Sequence, residues 1–154
     1  MSDEDISIAD LFGIVAPKEL DTNLPVLVVE DQQDMRLIIV HHLQKLQFKT
    51  VLQAANGLEA MEQLRQHKKC AAIICDWEMP SMNGLHLINE MREDLNVPRI
   101  PFCLMMDSVS KEKLMLAVEH GVDDMLVKPL KLGDIIPKIR NAFKVFHNKN
   151  VSAS

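Results

Sequence analysis

The chain has 154 residues, 47% of them hydrophobic and 4% aromatic, with no Tyr and ten Met, so one ordinary core of aliphatics and Met is expected and general disorder is excluded. The net charge of −5 resides in residues 1–24, where Asp3, Glu4, Asp5, Asp10, Glu19 and Asp21 oppose Lys18 alone. The remaining sixteen acidic and sixteen basic residues balance, which leaves no basic stripe for nucleic acid.

In chain order, residues 1–24 form an acidic N-terminal extension. Ile6, Ile8, Leu11, Phe12, Ile14 and Val15 are apolar, and Ser7 and Asp10 have the spacing of a helix cap pair. Two readings stay open: a frayed terminus, or a short amphipathic helix that docks on the domain or on a partner. Thr22-Asn-Leu-Pro25 reads as a linker into one domain over 25–148, with 149–154 as a tail or linker. Val26–Val29 is the first strand. A helix follows over Gln33 to Leu46, its inner face set by Met35, Ile38, Ile39, Leu43 and Leu46. Thr50 to Gln53 is a second strand. Gly57 to His67 is a second helix with Leu58, Met61 and Leu64 on one face. Ala71–Cys75 is the third strand. Pro80, Met82 and Gly84 mark a loop before a helix carrying Leu85, Leu87, Ile88 and Met91. Phe102–Met106 is the fourth strand. Ser110 to His120 is the fourth helix, with Leu114, Met115, Ala117 and Val118 inside and Gly121 at the left-handed C′ position. The fifth strand, 124–127, leads to a last helix ending near His147. Pro137 lacks an amide hydrogen and fits a first turn, which predicts a regular helix from about Asp134.

Strict strand–helix alternation predicts an α/β fold, a doubly wound parallel sheet with right-handed crossovers. Cys70, Cys75 and Cys103 have no C-x-x-C spacing, and the six His show no i, i+4 pair, so reduced thiols and no zinc are expected. No secretory pattern and no apolar run near 18 residues occur, and a cytoplasmic protein without membrane contact is expected.

Four apolar runs end at charged residues. Val26–Val29 ends at Glu30 and Asp31, Ala71–Cys75 at Asp76, Phe102–Met106 at Asp107, and Met125–Val127 at Lys128. Runs this short and β-branched read as parallel strands buried on both faces. Their carboxyl ends then share the edge where open α/β sheets place their sites. Glu30, Asp31 and Asp76 would supply oxygens for a hard divalent cation, Mg2+ or Mn2+, and crowded like charges call for one. Asp76 ends the central strand and is the candidate attacking carboxylate. Lys128 would neutralise a phosphoryl oxygen as a compact point charge. Phosphoryl transfer needs little beyond such positioning and charge compensation.

From Val26 to about Phe146 the chain resembles a CheY-like response-regulator receiver domain. The matching pieces are Leu27-Val-Val-Glu-Asp31, Asp76-Trp-Glu-Met-Pro80 with Met82 and Gly84, and Gly121-Val-Asp-Asp-Met-Leu-Val-Lys-Pro129. The resemblance implies a flavodoxin-like (βα)5 fold with strand order 2-1-3-4-5. It implies Asp76 as phosphoacceptor, Glu30 and Asp31 as the acid pair that holds Mg2+, Glu78 as a metal ligand through its backbone carbonyl, and Lys128 as the phosphate contact before a cis Lys128–Pro129 bond. The implied donor is a phosphohistidine on a sensor histidine kinase or histidine phosphotransfer protein, or a small acyl phosphate. The implied output is a downstream protein or a second copy, bound through the fourth helix, fifth strand and fifth helix. Such a domain is no conventional enzyme; it catalyses only its own phosphotransfer and dephosphorylation.

The sequence departs from its relatives at the switch. Met106 stands where they have Ser or Thr, Asp107 where a small residue is usual, and Met125 where Tyr or Phe is usual. A thioether cannot donate a hydrogen bond. Ser108 could supply a hydroxyl if its loop bent inward. Two readings follow: a phosphorylatable switch with altered coupling, or a degenerate receiver that binds partners independently of phosphorylation. An aspartyl-phosphate phosphatase would want a second Asp at the place of Glu78, and no G-x-G-x-x-G follows Val29 to suit a dinucleotide. Gln47 stands where relatives often have Gly at the end of the first helix, and a left-handed conformation there costs about 1 kcal/mol.

Overall fold

The computed structural model describes residues 20–152. Ten elements alternate: β1 (Val26–Val29), α1 (Gln33–Lys45), β2 (Val51–Ala54), α2 (Gly57–Gln66), β3 (Ala72–Asp76), α3 (Gly84–Glu93), β4 (Phe102–Met106), α4 (Lys111–Glu119), β5 (Asp124–Val127) and α5 (Leu132–Ser152). All strands are parallel, in the order β2-β1-β3-β4-β5. This is the flavodoxin-like α/β fold expected. The three central strands are buried throughout, whereas the edge strands β2 and β5 are only partly covered. Position in the sheet thus explains why three runs are continuously apolar and two are mixed.

Each face of the sheet has its own core. One is covered by α1 and α5 through Ile39, Val40, Leu43, Ile135, Ile139 and Ala142. The other lies under α2 and α3, with Ala60, Met61, Leu64, Leu87 and Ile88, and takes only Ala117 from α4. Leu27, Ile73 and Leu104 are fully buried between layers. Burial of such a side chain contributes about 1.5–3 kcal/mol. Asn56, Asn83 and Ser110 cap α2, α3 and α4, each accepting a bond from the backbone three residues on.

Several helix faces differ from the expectation. In α1, Val40 rather than Ile38 joins Ile39 and Leu43 inside, and Ile38 is exposed. In α2, Leu58 is exposed and Ala60 takes its place. In α4, Ala117 alone is buried, while Met115 and Val118 are 55% and 66% exposed. Helix α5 starts at Leu132 and continues to Ser152, past His147, with Pro137 in its second turn. The carbonyl that Pro137 leaves without a partner belongs to Gly133, which is exposed at the first turn of the helix. Gly121 (φ +87°) is left-handed as expected, and Gln47 adopts φ 71°. The three cysteines are free and buried. Most of the N-terminal extension, including Phe12 and Ile14, lies outside the described residues; Leu20 and Leu24 pack on the α1/α5 core. No helix among the described residues is long and apolar enough to cross a membrane.

Candidate functional site at the carboxyl edge of the sheet

Parallel register brings the charged strand ends together. Val29 pairs with Cys75, so Glu30 and Asp76 emerge side by side. Met106 pairs with Val127, and the Lys128 amide donates to Met106 O at 2.9 Å. Lys128 Nζ then lies 2.7 Å from Asp76 Oδ2 and 3.6 Å from Glu30 Oε2. The Lys128–Pro129 bond is cis. The turn after β1 is held by Arg36, whose Nη1 donates to Glu30 O at 2.8 Å. The loop after β3 closes on Gly84, which donates to Trp77 O at 2.9 Å. A Cβ at Gly84 would stand 2.8 Å from Asp76 O and 2.5 Å from Leu104 Cδ1, so a side chain there would push against the backbone of Asp76 itself.

Electrostatically the site is incomplete without a cation. Glu30 is fully buried, and neither of its carboxylate oxygens has a hydrogen bond. A buried acceptor without a partner is costly, and a charged one more so. Burial first, then the neighbouring Asp76 carboxylate, pushes the Glu30 pKa up from 4.5 to about 8, while Lys128 pulls it back. Burial works against the charged Lys128, but the hydrogen bond to Asp76 and the charges of Asp76, Glu30 and Asp107 outweigh it and hold the ammonium above its usual pKa. Glu30, Asp31 and Asp76 each offer a carboxylate oxygen within 4.8 Å of the others. A hard divalent cation among them would give the orphaned Glu30 oxygens a partner, and an all-oxygen donor set suits Mg2+ or Mn2+.

Two clefts open on Asp76. The larger, about 400 Å³, is lined by Asp31, Asp76, Glu78, Asp107 and Lys128, with Gln32, Met35 and Pro129 completing its wall. The smaller, about 30 Å³, is lined by Asp76, Trp77, Glu78, Met106, Asp107 and Lys113. The structure therefore gathers Glu30, Asp31, Asp76, Glu78, Asp107 and Lys128 at one place. Met106 is buried at the end of β4 and borders the smaller cleft. Ser108 is exposed and lines neither cleft; its loop does not bend inward. Met125 is half-buried against the α2/α3 core and lines neither. Gln32, Met35 and Lys113 were not foreseen. Nothing in their local pattern distinguishes them from ordinary residues at helix starts, and Lys113 comes to the wall of an Asp76 cleft only through the fold.

A parallel sheet of this strand order, with three carboxylates and a lysine at its carboxyl edge, defines a CheY-like receiver domain. The chain belongs to the response regulator receiver domain family, whose model matches residues 26–140. It is similar to the chemotaxis protein CheY1 of Helicobacter pylori, at 37% identity over 106 residues, 69% of this chain and 86% of that protein. The structure of the chemotaxis protein CheY4 of Vibrio cholerae matches with a TM-score of 0.71 at 26% identity, over 77% of this chain and 98% of that one. The receiver domain of the histidine kinase CKI1 from Arabidopsis thaliana, solved with Mg2+ and BeF3−, matches with a TM-score of 0.67 at 25% identity, over 77% of this chain and 89% of that one. The protein is thus a receiver domain of two-component signalling, a phosphoacceptor class rather than a conventional enzyme.

Proposed function

We propose that this receiver accepts a phosphoryl group on Asp76 from a phosphohistidine of a sensor histidine kinase or histidine phosphotransfer protein. The single observation that carries this reading is the cluster itself: three carboxylates within 4.8 Å of one another, with Lys128 Nζ 2.7 Å from Asp76. An Asp76 oxygen attacks phosphorus, the P–N bond of the phosphohistidine breaks, and its electron pair stays on the imidazole nitrogen. Lys128, already protonated and bonded to Asp76, compensates the charge gathering on the phosphoryl oxygens. Hydrolysis then returns Asp76 to its free form: water attacks phosphorus, the P–O bond to Asp76 breaks with Asp76 leaving as carboxylate, and inorganic phosphate is released. Glu30, Asp31, Asp76 and the Glu78 backbone carbonyl would hold Mg2+ or Mn2+, which when bound supplies positive charge against the phosphoryl oxygens. Glu78 lines the same cleft as Asp76.

Phosphorylation then biases the α4–β5–α5 face, which binds a downstream protein or a second copy. Its support is the apolar surface on α4 and β5, where Met115, Leu116, Val118 and Val127 are 55%, 40%, 66% and 48% exposed. Incubation with acetyl phosphate and Mg2+, followed by intact mass, is expected to show one added phosphoryl group, absent in D76N. Folded wild-type protein that gains no mass would overturn this reading. The degenerate-receiver alternative draws on Met106, Met125 and the outward Ser108. It expects partner binding indifferent to D76A, and a partner whose affinity falls in D76A eliminates it.

A further inference from the structure

We propose that Lys113 is a second cation for the phosphoryl group on Asp76, acting from the side where β4 ends in Met106. The inference rests on the reading of Asp76 above. A phosphoryl group brings three terminal oxygens and about two negative charges. Lys128 meets it from β5. On the β4 side the strand ends in a thioether and a carboxylate, Met106 and Asp107, and neither donates a hydrogen bond when Asp107 is ionised. Asp107 also adds a negative charge to the wall of both clefts that open on Asp76. That side lacks a side-chain donor and carries an extra anion, and Lys113 supplies a side-chain donor and a cation together.

Three features of Lys113 mark it out. It lines the smaller cleft with Asp76, Met106 and Asp107. It is half-buried, whereas its neighbour Lys111 is exposed. Its ammonium makes one long hydrogen bond, to Ser108 O at 3.4 Å, and among the described residues no ion pair. A lysine ammonium carries three donors, so two stay available for phosphoryl oxygens. Its position also runs against the helix dipole. The Lys113 amide is capped by Ser110 Oγ at 3.1 Å, which puts the residue in the first turn of α4, where the helix dipole favours acids over cations. A phosphoryl group on Asp76 would offset that by adding to the negative charge that Asp76 and Asp107 already place on this cleft. Reaching toward Asp76 with its spare donors while still bonded to Ser108 O, Lys113 would draw the β4–α4 loop with it and link the site to α4 without a hydroxyl at position 106.

The test is a beryllofluoride titration in saturating Mg2+, read by the fluorescence of Trp77, the chain's one Trp, which lines the same cleft. K113M is expected to weaken half-saturation by beryllofluoride about tenfold or more, the scale of one charge-assisted hydrogen bond. Half-saturation by Mg2+ alone should stay within about twofold, which reports an intact fold and acid cluster. K113R should recover most of the loss. In an M106T background, K113M should cost less, because the restored hydroxyl takes over one phosphoryl oxygen. K113M and K113Q that bind beryllofluoride as the wild type does, with Mg2+ binding unchanged, would overturn the role of Lys113 alone. A Mg2+-bound wild type that does not respond to beryllofluoride, or a D76N variant that responds equally, would overturn the reading of Asp76 and this inference with it.

Discussion

On the β1 side of Asp76, Glu30 and Asp31 bring carboxylate oxygens within 4.8 Å, and Lys128 closes to 2.7 Å from β5. On the β4 side the strand ends in Met106 and Asp107, with the Ser108 side chain outside both clefts. The β1 side supplies the carboxylates, and Lys128 reaches Asp76 past β4 from β5, so the acid cluster and its ammonium are both in place. The β4 side has no hydroxyl in reach and one more negative charge. Under the proposed function, the difference assigns accepting a phosphoryl group and reporting it to different parts of the sheet edge. The first depends on neighbouring strand ends in one register, the second on what one edge of the sheet can move.

Substitutions on the two sides should therefore separate in size. D76N should abolish acetyl phosphate-dependent mass gain altogether. K128M, which leaves a phosphoryl oxygen without its charge-assisted partner, should slow phosphorylation about ten- to a hundredfold in the same mass assay. The burial of Glu30 gives a pH signature. Its carboxyl keeps a proton up to about pH 8 in the folded, metal-free protein but releases it near 4.5 when unfolded. The folded state thus binds more protons between those values, so the stabilisation present below pH 4.5 is lost as pH rises through 8. Thermal unfolding temperatures of the metal-free protein should fall over that window, and E30Q should flatten the fall. Because metal binding displaces that proton, Mg2+ affinity should rise toward about tenfold per pH unit below 8, measurable by Trp77 fluorescence. On the β4 side, M106T should tighten beryllofluoride binding several-fold. It should also cost about 1–3 kcal/mol of stability, because Met106 is a buried core side chain. S108A should change beryllofluoride binding by less than about twofold; a larger effect would mean that the loop does bend inward and that the two sides are less different than they look.

The strand-end charges were legible from sequence because a buried parallel strand is a continuous apolar run, and its last residue is fixed by where the apolar run stops. Glu30, Asp31, Asp76 and Lys128 all follow from that, and the parallel order brings them to one edge. Helix faces were less legible for a related reason. Leu37-Ile-Ile-Val40 and Leu114-Met-Leu-Ala-Val118 are apolar on successive residues, so a 3.6-residue period does not say which of them turns inward. In both helices the sheet decides, taking Val40 over Ile38 and Ala117 over its larger neighbours. Pro137 misled on the start of α5 because its missing bond falls at an exposed turn, where it costs less than in a helix interior. Lys113 carried no signal at all, since its relation to Asp76 is made by the β4–α4 turn and not by spacing.

Whether phosphorylation at Asp76 reaches the α4–β5–α5 face past Met106 and Met125 is tested most directly by amide hydrogen exchange of the Mg2+-bound protein, with and without beryllofluoride. Exchange is expected to change both around Asp76 and in Lys111–Glu119 and Asp124–Val127. A change confined to the residues around the clefts, with α4 and β5 unaltered, would contradict a switch and leave a site that is loaded but not read.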